Sequence, residues 1–73
     1  MTLLEQQIHD FVTAYIAEQG FGPTYRDIAE GIGCALSTAH AAIVSMQQAG
    51  TVTFVPGAAR TLKAVPIDEH EPS

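Results

Sequence analysis

The sequence predicts a mainly helical α+β domain in which three helices precede a two-stranded β-hairpin. Three observations carry that expectation. Apolar residues recur at helical spacing through residues 3–49, interrupted by Gly20 and Gly33 and stopped by Gly50. Two of the helical stretches open on a threonine followed three positions later by an acidic residue, the pattern of a capping box. Beyond Gly50 the apolar period drops to alternate residues, as in a strand with one buried face.

Thr2 and Glu5 form the first capping box, and Leu4, Ile8, Phe11, Val12, Tyr15 and Ile16 then share one helical face as far as about Gln19. Gly20 supplies a left-handed end, and "GFGP" makes a turn closed by Pro23. Thr24 caps a second, shorter helix with Asp27 at its third position, and Ile28, Ala29 and Ile32 are its inward residues before Gly33 ends it. A third helix starts between Ala35 and Ser37, with Ala39, Ile43 and Met46 inward and Gly50 as its stop. Two short helices across a glycine-led turn make a helix-turn-helix. In the hairpin, Val52 and Phe54 alternate with Thr51 and Thr53, "PGAA" turns the chain, and Leu62 and Ala64 alternate with Thr61 and Lys63. The order is that of a winged helix-turn-helix over residues 1–66. Residues 67–73, with three carboxylates and two prolines across "PIDEHEPS", read as a disordered acidic tail.

Composition bounds the function. A chain of 73 residues holds one modest core and no two-lobed enzyme. A net charge of −5 repels a polyanion unless the three cations gather on one face, so composition by itself argues against nucleic acid. Without the tail carboxylates the body is only mildly acidic. The single cysteine, Cys34, excludes an internal disulfide, and the absence of a signal peptide or a membrane-length apolar run makes a cytoplasmic setting the expectation.

Two segments, "QQIHDFVTAYIAEQGFGPTYRDIAE" and "VPGAARTL", resemble the N-terminal DNA-binding domain of the LexA repressor family, and the likeness runs over about residues 3–65. That resemblance implies a repressor-type transcriptional regulator that binds double-stranded DNA. The family's repressors continue into a self-cleaving peptidase and dimerisation domain with a serine–lysine pair, and these 73 residues are too few to be expected to hold it. Ala49-Gly50, at a helix end, is not read as a cleavage site. Ala41, Ala42, Val44 and Ala49 stand where relatives commonly carry polar or basic side chains.

With Ala39, Ile43 and Met46 inward, Ser37, His40, Ala41, Val44 and Gln48 form the outward stripe of the third helix, flanked at its start by Leu36 and Thr38. No arginine or asparagine is present there for two-point base reading. Ser37, Thr38 and His40 can still donate to base edges, while Leu36, Ala41 and Val44 can meet thymine methyl groups. Gln48 lies too far along the helix for that contact. Arg26 opens the second helix, where the motif crosses the phosphate backbone, and Arg60 and Lys63 lie on the wing. Each is otherwise a solvated charge, and Arg26 has Glu30 one turn away. Thr24 is first a cap and second a phosphate donor. Three cations give a salt slope of about −3 per protomer, so a functional binder is expected to act as a homodimer or with a protein partner.

No catalytic constellation is visible, and neither a small-molecule substrate nor a cofactor is expected. His9, His40 and His70 lack metal-ligand spacing. Cys34 reads as a small buried thiol, and Glu5, Asp10 and Glu18 as solvated charges. Phe11, Tyr15 and Phe54 are expected in the core, with Phe21 and Tyr25 half-buried. The alternative to DNA binding is a winged-helix protein-interaction module that docks on a regulator or a polymerase component through the uncharged third helix.

Overall fold

The structure, a computed structural model, describes residues 2–57 and 60–66 of the chain. Helix α1 spans Leu3–Gln19, α2 Tyr25–Ile32 and α3 Leu36–Ala49; strands β1 (Val52–Thr53) and β2 (Lys63–Ala64) follow. The expected tail and the alanines of the hairpin turn lie outside the described residues.

Both capping boxes form. The Thr2 hydroxyl accepts the Glu5 amide at 3.1 Å, and the Thr24 hydroxyl accepts the Asp27 amide, also at 3.1 Å. Each acidic side chain in return accepts the amide of its threonine, which satisfies donors that a helix start leaves unpaired. Helix α3 has Ala35 at its N-cap and no side-chain cap. Gly20 adopts φ +84° and ends α1 by donating to the Ile16 carbonyl at 2.8 Å.

The helices meet over Ile8 and Val12 of α1, Ile28 and Ala29 of α2, and Ala39, Ala42, Ile43 and Met46 of α3. Val52 and Leu62 close this core from the hairpin side. Phe11 and Phe54 pack partly buried against it rather than inside it, as does Cys34. Helices α2 and α3 are bent by 111° relative to one another, the geometry of a helix-turn-helix. No single described helix is long and apolar enough to cross a membrane.

The hairpin pairs Val52 with Ala64 and Thr53 with Lys63, antiparallel. Burial alternates as expected, yet the ladder is only two residues long on each side. Beyond Thr53 a side chain replaces it: the Thr61 hydroxyl accepts the Val55 amide at 2.8 Å and donates to the Val55 carbonyl at 3.3 Å.

One buried polar residue was not anticipated. His9 is 8% exposed, and its Nε2–H donates to the Val65 carbonyl at 2.7 Å. The Val65 amide in turn donates to the Thr51 carbonyl at 2.9 Å, so the end of the hairpin is fastened both to the residue before β1 and to α1.

Candidate nucleic-acid interface

The outward stripe of α3 is where the periodicity places it. Ser37, Thr38, His40 and Ala41 are exposed, and Leu36 and Val44 keep 48% and 37% of their surface in solvent. Ala42 is the exception among the unusual alanines, since it joins the core and widens the inward stripe.

Helix α2 opens beside this stripe because the Thr24–Asp27 capping box sets its first turn. The Tyr25 ring meets the His40 imidazole edge-on, with centroids 4.8 Å apart and planes at 78°. Thr24, Tyr25, Arg26, Leu36, Ser37 and His40 line one groove. Thr24 and Tyr25 also line a second groove with Gly57, Arg60 and Thr61 of the wing. The start of α3, the start of α2 and the wing root therefore form one continuous surface.

Arg26 is exposed on that surface and makes no ion pair with Glu30. Arg60 is placed differently from the free wing cation expected. Its Nη1 donates to Asp27 Oδ2 at 3.1 Å and to the Tyr15 hydroxyl at 3.0 Å, and its guanidinium lies 5.0 Å from the centre of the Phe21 ring. The Tyr15 hydroxyl also donates to Asp27 Oδ2, at 3.3 Å. The Arg60 backbone, at φ +59°, accepts the Gly22 amide at 3.1 Å. Arg60 thus ties the wing to the α1–α2 corner.

The electrostatics follow from this placement. The Thr24 backbone amide, helped by the Thr24 hydroxyl and the Arg60 charge, holds the Asp27 carboxyl below its ordinary range against partial desolvation. The Tyr15 hydroxyl, as an acceptor, pushes the Arg60 guanidinium further above its ordinary value, and Asp27 adds to that. Lys63 is exposed and shares a hollow with Ile16, Phe21, Val55 and Arg60. Phe21 itself is 44% exposed and Tyr25 half-buried. Among the described residues, no three histidine, cysteine or carboxylate side chains converge as metal ligands would.

Three helices, a sharp bend between the second and third, and a paired hairpin alongside define a winged helix-turn-helix domain. Residues 1–61 match the LexA DNA binding domain, and the chain belongs to that family. It is 29% identical over 65 residues to the LexA repressor of Thermosipho africanus and, to the same extent, to that of Thermosipho melanesiensis. The match takes in 89% of this chain and 33% of each relative, so the chain spans about a third of the length of those repressors.

Proposed function

We propose that this domain binds duplex DNA with α3 in the major groove and regulates transcription. The observation that carries the reading is the unbroken surface joining the α3 stripe to the capped start of α2 and to the wing root. On this reading Ser37, Thr38 and His40 donate to base edges, and Leu36, Ala41 and Val44 lie against thymine methyl groups. Thr24 and Arg26 hold the phosphates that flank the groove. Arg60 orients the wing, and the outer edge of its guanidinium meets a phosphate. Lys63, exposed in the hollow that Arg60 also lines, is the second wing cation available to a phosphate. One protomer offers so few phosphate contacts that two copies on adjacent half-sites are needed for useful affinity.

Titration of a labelled random-sequence duplex pool at about 50 mM salt tests this, because electrostatic attraction is strongest there. Saturable binding with a salt slope no steeper than about −3 per protomer is expected. No binding at protein concentrations where dimer is present refutes it.

A second reading rests on a specific observation. No lysine or arginine lies between Arg26 and Arg60, and the exposed side of α3 is rich in Leu, Ala and Val. Such a surface also suits docking on a partner protein. A duplex titration that fails, beside saturable capture of a purified repressor or polymerase subunit, selects it.

A further inference from the structure

Helix α3 carries no permanent cation, yet its exposed stripe holds one side chain able to become one. Histidine is the residue type whose charge changes between about pH 5 and 8. His40 lines the groove that opens toward the proposed DNA, together with Tyr25 and Arg26 of α2, and touches the Tyr25 ring. We propose that His40 engages duplex DNA as an imidazolium, so that docking takes up one proton and binding strengthens as pH falls. The inference rests on the DNA-binding reading above and specifies the charge state of one contact within it.

Two residues of α2 stand beside the ring in that groove. The Tyr25 ring packs against the imidazole nearly at right angles, with centroids 4.8 Å apart. Arg26 lines the same groove. No carboxylate lines that groove: Asp27, one residue on, is turned to Thr24, Tyr15 and Arg60, and Glu30 makes no contact with His40. Among the described residues, none that lines the groove carries a charge opposite to that of a protonated His40. The remaining neighbours, Leu36, Ser37 and Thr24, carry no charge. Phosphates arriving on both sides of the groove neutralise Arg26 and supply the missing counter-charge. The ring therefore binds a proton more tightly in the complex than alone, and linkage makes that difference a pH-dependent affinity.

The test uses the full chain and the random duplex pool, followed by anisotropy from about pH 8 to about pH 6 at fixed salt, where a histidine titrates. Uptake of one proton raises the association constant by up to about tenfold per pH unit and steepens the salt slope by about 0.9. His40→Gln should bind with a nearly flat pH profile, and His70→Gln should keep the wild-type profile. Imidazole proton resonances, assigned through the His40→Gln spectrum, report whether His40 titrates at higher pH in the complex than in the free domain. A wild-type chain that binds without pH dependence overturns the proposal, as does a His40→Gln variant that keeps it. Absence of duplex binding at every pH and salt concentration overturns the DNA-binding reading itself, and the proton proposal with it.

Discussion

Gly22 is where the α1–α2 corner touches the wing most closely, and Gly22→Ala is the substitution that tests how the wing is held. A Cβ there would run into the backbone nitrogen and carbonyl oxygen of Leu62, which cannot swing away as a side chain end can. Gly22 is not among the positive-φ residues, so the clash is steric and not a matter of backbone conformation. Overpacking a closed contact costs about 1–3 kcal/mol. If the strand lifts to relieve it, Leu62, now 6% exposed, also loses burial worth about 1.5–3 kcal/mol. A total of about 2.5–6 kcal/mol is a large part of the roughly 4–11 kcal/mol available to a domain of this size. Melting should fall by about 10 °C or more. Gly20→Ala is the comparison, because φ there is +84° with no neighbour within 4 Å, leaving only left-handed strain of about 1–2 kcal/mol. Urea denaturation and thermal melts by circular dichroism measure both, and amide exchange at Val65 reports whether the wing itself has loosened. A Gly22→Ala cost no greater than that of Gly20→Ala would refute the packing account.

The other expectations are shorter. Asp27 has a folded-state pKa below its unfolded value, so the unfolded chain binds the proton more readily; the stability it contributes is complete above about pH 5 and is lost as pH falls through the folded value. Asp27→Asn should flatten that acid limb of the stability profile while lowering stability at neutral pH, and a limb unchanged by the substitution would place its origin elsewhere. Arg26→Gln should weaken duplex binding about equally across sequences and reduce the salt slope by about 1, with melting unchanged. Val44→Asp puts a carboxylate on the exposed side of α3 and should cost at least about tenfold in duplex affinity through repulsion from phosphate; binding at wild-type strength would remove α3 from the interface.

The helices were legible because their signals are local. Thr2 with Glu5, Thr24 with Asp27, and Gly20, Gly33 and Gly50 mark boundaries within one turn of chain, and the three helices lie where those marks put them. Pairings across the fold were not legible. Arg26 has Glu30 at ideal helical spacing and does not use it, whereas Arg60 finds Asp27 from 33 positions away. The burial of His9 has no local signal, because periodicity counts apolar side chains and its carbonyl partner is 56 positions distant. Tyr15 looked like a core aromatic for the same reason; its ring is half-buried and its hydroxyl serves the Arg60–Asp27 pair. The exposed α3 stripe was readable because a helix that buries Ala39, Ile43 and Met46 must turn the opposite side outward.

The fastening of Val65 has a mechanical side. A pull on the residues that follow does not unzip the two short strands one bond at a time, because the load divides at Val65 between the Thr51 carbonyl and the His9 ring. Tension therefore enters the longest helix sideways through an imidazole, and a His9→Ala chain should yield at lower force, with the wing peeling off before the helices part.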